Sequence, residues 1–152
     1  RLRHFKPSEF HGWWGDMNCE LLYRLDELRS RSGGWIDISP AEGSIGRNWG
    51  SEDTSQHNVD RWGMVNAVDF FAQNFHLDYA GKDEIAGFVE LMREVGFTGI
   101  GVYTDTFYGV DEVNEPIPFI MFHGDVRPGR KLGDAAMWSR QGGEYLGIDE
   151  VL

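Results

Sequence analysis

His57, Asp69 and His123 are the residues whose types and surroundings point most directly to chemistry. His57 stands in TSQHN, Asp69 in NAVDFF (Asn66–Phe71) and His123 in FIMFHGDVR (Phe119–Arg127). Side chains alternate along a strand, so Ala67, Asp69 and Phe71 share one face while Val68 and Phe70 share the other. An acid set between those two apolar residues needs a partner. The same alternation puts Phe119, Met121, His123, Asp125 and Arg127 on a common face, with imidazole, carboxylate and guanidinium side by side. Two His and one carboxylate from separate elements make the three-ligand set of a catalytic zinc, whose open fourth position holds an acidified water. Plainer readings stand beside this one. A strand His is commonly a half-buried, hydrogen-bonded residue, and Asp69 could pair with Arg47 or Arg61.

Other features narrow the chemistry. Cys19 is the single cysteine, so no internal disulfide or thiolate cluster can form, and any metal site must use His and carboxylates. It reads as a small buried hydrophobe in the first helix. Lys+Arg 14 against Asp+Glu 25 leaves a net charge of −11, which argues against nucleic acid or anionic lipid as a partner. No apolar run approaches the ~18–20 residues of a membrane span, and RLRHFKPSEF at the start lacks the apolar stretch of a signal peptide. The GxG at Gly99–Gly101 is too short for a dinucleotide fingerprint and precedes no helix. His4, His11 and His76 read as surface or packing residues, and Trp13–Trp14 as packing across the first helix.

The elements that must position these groups follow from periodicity. A chain of 152 residues, 41% hydrophobic, fits one domain over residues 1–152. Twenty glycines and ten phenylalanines suit short elements joined by many turns, hence an α+β class. Asp16 is a candidate N-cap for a helix in which Met17, Leu21, Leu22, Leu25 and Leu28 recur, ended by Gly33–Gly34. WIDIS (Trp35–Ser39) reads as a strand, and the stretch from Pro40 to Asn66 as a long loop of the kind that carries function. Asn66–Phe71 reads as a short strand. Asp83 is a candidate cap for a second helix with Ile85, Phe88, Val89, Met92 and Val95 on one face, closed by Gly96. Gly99–Tyr103 and Phe119–Arg127 read as strands, the latter central. The tail from Pro128 reads as irregular, with Met137 and Trp138 folding back onto the core.

The motifs also resemble a known family. SQH (Ser55–His57), AVDF (Ala67–Phe70) and FHGDVRPGRK (Phe122–Lys131) are similar to the zinc peptidases of the D-alanyl-D-alanine carboxypeptidase family, whose fold is shared with lysostaphin-type enzymes and the Hedgehog signalling domain. That family's pattern is SxHxxGxAxD followed by a strand-borne His. FKPSEF (Phe5–Phe10) resembles its lead-in, LLYRLDELR (Leu21–Arg29) its first helix and GFTGIGVY (Gly96–Tyr103) the segment before its last ligand strand. HxDVR and MWSR (Met137–Arg140) resemble the branch found in bacteriophage lysins and virion proteins. The resemblance implies a small antiparallel sheet with flanking helices, and His57, Asp69 and His123 as zinc ligands.

Two departures qualify the pattern. The Asp stands twelve residues after the His where the family has seven, and the extra length of about five residues in Asn58–Asn66 costs little closure entropy. Many relatives carry a Glu general base three residues before the last His, where this chain has Ile120. Asp125 is the nearest replacement, either taking a proton from zinc-bound water or orienting a ligand; Asp105, Asp111, Glu112 and Glu115 are the acids upstream of it. The resemblance then implies a monomeric zinc peptidase acting on peptidoglycan stem or cross-link peptides at the bacterial cell wall, as a phage lysin or virion component. Arg47 and Arg127 would receive substrate carboxylates. The alternative is a catalytically inactive, zinc-stabilised binding or structural domain of a virion.

Overall fold

The computed structural model describes residues 2–131 and 133–152, and within them the chain is α+β. The elements in order are α1 (Cys19–Ser32), β1 (Ile36–Ile38), α2 (Val59–Trp62), β2 (Ala67–His76), α3 (Lys82–Val95), β3 (Gly99–Tyr103), β4 (Phe107–Val110), β5 (Pro116–Asp125), β6 (Ala136–Gln141) and β7 (Glu144–Gly147). The strands form a seven-stranded sheet in the order β1-β2-β5-β3-β6-β7, with β4 pairing the start of β5. The expected antiparallel sheet is therefore modified: β3 and β6 run parallel, and the other pairs are antiparallel. The parallel pair arises because the chain leaves β5 and returns on the far side of β3.

Several boundaries differ from expectation for local reasons. Helix α1 is capped by Asn18, whose Oδ1 accepts from the Glu20 N–H at 2.9 Å, and not by Asp16, which ends a 3-10 turn. Cys19 therefore sits at the first helical position and is exposed, not buried. Gly81, not Asp83, precedes α3; Asp83 and Glu84 lie in its first turn, where acids suit the helix dipole. Strand β2 runs to His76, longer than the apolar core NAVDFF, because a bulge between Phe71 and His76 with Asn74 at φ 76° carries the pairing on. The tail is not irregular. Gly142 and Gly143, at φ 57° and 80°, make the tight turn that pairs β6 with β7.

The two long helices cover one face of the sheet. Phe88 of α3 packs on Phe122 and Phe75 with ring centres 4.6 and 5.0 Å apart, and Phe122 stacks on Phe70 at 6.0 Å. Leu21, Leu25, Leu28, Met92, Ile100 and Ile120 are fully buried in the same core. Burial of this apolar face is the main stabilising term. Ile120 belongs to it, on the side of β5 opposite His123.

Candidate metal centre

The other face of the sheet carries the polar groups, and the strand register sets them in transverse rows. Asp69, His123, Gly101 and Trp138 lie opposite one another across β2, β5, β3 and β6. One pair along, Ala67, Asp125, Gly99 and Ala136 form the next row, and on the other side Phe71, Met121, Tyr103, Arg140 and Tyr145 form a third. The long loop closes over the first row. Its buried hub is Asn58, whose Nδ2 donates to the carbonyls of Gly50 at 2.7 Å and Asp53 at 2.8 Å, while its backbone bridges to Arg47. That network fixes His57, the residue before it, and Asn58 caps the short helix α2 that the loop contains.

His57 Nε2, Asp69 Oδ1 and His123 Nδ1 converge; the ligating atoms of the three buried residues lie within 4.8 Å of one another. His57 Nε2 is 3.5 Å from Asp69 Oδ1, close to the edge of about 3.4 Å that a tetrahedron of ~2.1 Å metal–ligand bonds would have. His57 Nδ1 lies 2.6 Å from the Ile45 carbonyl, which can only accept, so the proton sits on Nδ1 and the Nε2 lone pair faces the cluster. His123 Nε2 is 2.7 Å from Asp125 Oδ2, and Nδ1 is 2.9 Å from Asp69 Oδ1. With Nε2–H given to Asp125, three acceptor atoms meet at one point. A shared cation is required: a proton on His123 in the metal-free protein, or a metal ion. The two imidazole nitrogens and the carboxylate oxygen are a donor set that could hold a metal ion.

The electrostatics agree with this geometry. Burial disfavours the His123 charge, but hydrogen bonds to Asp125 and Asp69 outweigh it and push the group up to about 9. Burial would raise Asp69, yet the two imidazoles beside it, with the His123 hydrogen bond and charge among the causes, hold its carboxyl far below the usual range. Asp125, also lowered against its burial, is held by His123 and by Arg127, whose Nε donates at 3.0 Å.

Asp125 therefore lies on the side of the His123 ring away from the cluster. A carboxylate in that position can orient the ring and raise its basicity. Asp105 instead holds Arg140 and the Gly143 N–H, and Asp111 closes its own turn with Val113 and Glu115. Neither they nor Glu112 and Glu115 line the cleft. Asp53 does: its Oδ1 accepts from Ser55 N–H at 3.1 Å, while its Oδ2 is buried with no hydrogen-bond partner among the described residues. Asp69 is partnered by the two His and not by Arg47 or Arg61.

The cleft before the cluster has a volume of about 570 Å³ and is also lined by Arg47, Gln56, Tyr103, Arg127, Trp138 and Tyr145. Arg47 lies over the Trp49 ring at 4.4 Å and Arg127 over Trp138 at 4.9 Å. Their Nε atoms are engaged by Gly43 and Asp125, and their terminal nitrogens have no hydrogen-bond partner among the described residues. Both remain available to a ligand carboxylate. A second hollow of about 710 Å³ adjoins this one, sharing Arg47, Asp69, Met121 and Arg140.

Gly99 and Gly101 shape the site in a way the sequence did not reveal. A Cβ on Gly99 would lie 2.1 Å from the Asp125 carboxylate oxygens, and one on Gly101 would lie 2.8 Å from Trp138 Nε1 and 3.1 Å from His123 Cβ. The GxG is a pair of gaps that admit Asp125 and Trp138. Trp138 and Tyr103 were also missed as cleft residues, although the AMWSRQ-GG-EYLG pattern carries a hairpin signal. No protein-family description matches the chain, and neither a curated protein nor a solved structure does.

Proposed function

We propose that this chain is a zinc-dependent peptidase that hydrolyses an amide bond in peptidoglycan stem or cross-link peptides, a monomer with the Hedgehog/D-Ala-D-Ala-peptidase type of fold, working as a phage lysin or virion-associated wall hydrolase. The observation that carries the reading is the buried convergence of His57 Nε2, Asp69 Oδ1 and His123 Nδ1 at the floor of an open cleft. The motif resemblance around Ser55–His57, Ala67–Phe70 and Phe122–Lys131 supports it, as does the two-His, one-carboxylate chemistry of the donors. A zinc ion held there would polarise the scissile carbonyl and bring the pKa of a bound water towards ~7.

The remaining work falls to the chain's own groups. The Ile45 carbonyl and Asp125 hold the two imidazoles in the ligating tautomers. Arg47 and Arg127 offer unpaired guanidinium edges to the carboxylates of a stem peptide. Ile120 lies on the core side of β5, so the position that carries Glu in the resembled family does not face the cleft in this chain.

Elemental analysis of protein purified without chelator, combined with muropeptide digestion, tests the reading. One zinc per chain and release of cleaved stem peptide are expected, with zinc lost in His57→Ala and His123→Ala. Asp125→Asn should weaken metal binding about 10–100-fold. A full zinc equivalent in both His variants would refute the site, and zinc without hydrolysis would leave the inactive structural domain.

A further inference from the structure

We propose that the Tyr103 hydroxyl is the hydrogen-bond donor that stabilises the oxyanion formed when a substrate carbonyl is attacked beside the His57–Asp69–His123 cluster. The inference rests on the peptidase reading above and adds a residue to it. Tyr103 stands on β3 two positions from Gly101, so its side chain emerges on the cluster's face in the adjacent row, with its ring centre 6.5 Å from that of His123. It is buried except for the part that lines the cleft.

Its hydrogen-bond accounting is incomplete in one informative respect. The phenol oxygen accepts from Trp138 Nε1 at 3.3 Å, and no described residue accepts the phenol's own proton. With the indole N–H occupying one lone pair, that proton is left to a ligand in the cleft. The ring is also held. The Arg140 guanidinium lies over it at 4.6 Å and is itself clamped by two Nε and Nη2 contacts to Asp105 of 3.0 Å, while Tyr145 packs edge-on at 6.4 Å. A donor fixed before the reaction stabilises developing charge without reorganising, which is what makes such groups effective.

Three residues thus act in series: Gly101 leaves the space, Trp138 fills it and orients the phenol, and Tyr103 donates. In the step served, the nucleophilic oxygen bonds to the carbonyl carbon, the C=O π pair moves onto oxygen, and Tyr103 hydrogen-bonds to that anion. The phenol keeps its proton; when the tetrahedral adduct collapses the oxyanion pair re-forms the C=O bond, the C–N pair leaves on nitrogen, and the proton given up by the attacking water goes to that nitrogen, which departs as the amine.

A differential binding measurement tests this apart from turnover. Full-length wild type and Tyr103→Phe, both zinc-loaded, are titrated with a phosphinate analogue of a stem peptide and, separately, with the cleaved product peptide; kcat is measured alongside. Zinc content and product affinity should be unchanged in Tyr103→Phe, while phosphinate affinity and kcat both fall by about 10²–10³-fold. Trp138→Phe should lower both by less. Equal phosphinate affinity and kcat in wild type and Tyr103→Phe would overturn the proposal, as would loss of zinc or of product binding, which would make the residue structural. A wild type that cleaves no muropeptide and binds no phosphinate would refute the peptidase reading itself.

Discussion

Two sides of the same strand solve opposite problems in this protein. On the helix side of β5, Ile120 and Phe122 are fully buried among Phe70, Phe88 and Ile100, and the constraint is volume. On the cleft side, Met121, His123 and Asp125 are nearly as buried, yet the constraint is pairing: each nitrogen and oxygen must find a partner. One residue of register separates the two environments. The comparison teaches that a polar cluster can be built into a sheet without opening the core, provided the neighbouring strands give up side chains to make room. Gly99 and Gly101 are that concession.

The largest effect expected comes from placing a charge on the wrong side. Ile120→Glu would restore an acid three residues before His123 in sequence, but its side chain would enter the apolar core with no partner. A loss above about 4 kcal/mol is expected, enough to abolish folding of a typical domain. Met121→Glu, one position along, faces the cleft and should retain a cooperative transition. Circular dichroism melts of the two variants decide the matter; a folded, active Ile120→Glu would show the assignment of faces to be reversed.

This asymmetry also explains what the sequence made legible. Alternation along FIMFHGDVR and NAVDFF is a local property, so the facing of Asp69, His123 and Asp125 could be read directly. The helix faces of α1 and α3 were legible for the same reason. The Asn18 cap was not, because Asp16 and Asn18 are both good caps and the choice was made by the backbone pairing of Asp16 and Met17 with Val65. The bulge at Asn74, the loop hub at Asn58 and the parallel placement of β6 depend on contacts distant in sequence. The purpose of the GxG depends on Asp125 and Trp138, which arrive from two other strands.

A second prediction separates the two sides by pH. In metal-free protein the folded His123 is pushed up to about 9 from an ordinary value near 6.5. A raised folded-state value contributes stability that is fully present below pH 6.5 and lost as pH rises through about 9. Chelated protein should therefore be less stable at about pH 9.5 than at about pH 6, by a few kcal/mol. Metal binding requires that proton to leave, so metal affinity should rise across the same window. Phe122→Leu, a change confined to the helix side, should lower stability equally at both pH values. Denaturant titrations of the chelated protein and of this variant supply the measurement; a flat profile for the chelated wild type would show that His123 is not the shared proton's site.

The sharpest comparison, and the smallest effect, uses one methyl group on each side. A Cβ on Gly124 would meet Phe97 at 2.7 Å and Met92 at 3.3 Å in the core, whereas one on Gly99 would meet the Asp125 carboxylate at 2.1 Å. Neither glycine has a positive φ, so the cost in each case is space and not backbone strain. Overpacking of this kind costs about 1–3 kcal/mol. Gly124→Ala should show that loss in metal-free and metal-loaded protein alike, because Phe97 and Met92 belong to the buried hydrophobic core. Gly99→Ala must move Asp125 off His123 Nε2, which frees the ring to turn, so metal affinity should fall about 10–100-fold in addition. Paired melts with and without metal, together with a competitive chelator titration, separate the two outcomes. If Gly99→Ala binds metal as tightly as wild type, the Asp125–His123 contact does not position the ligand, and the glycine serves packing alone.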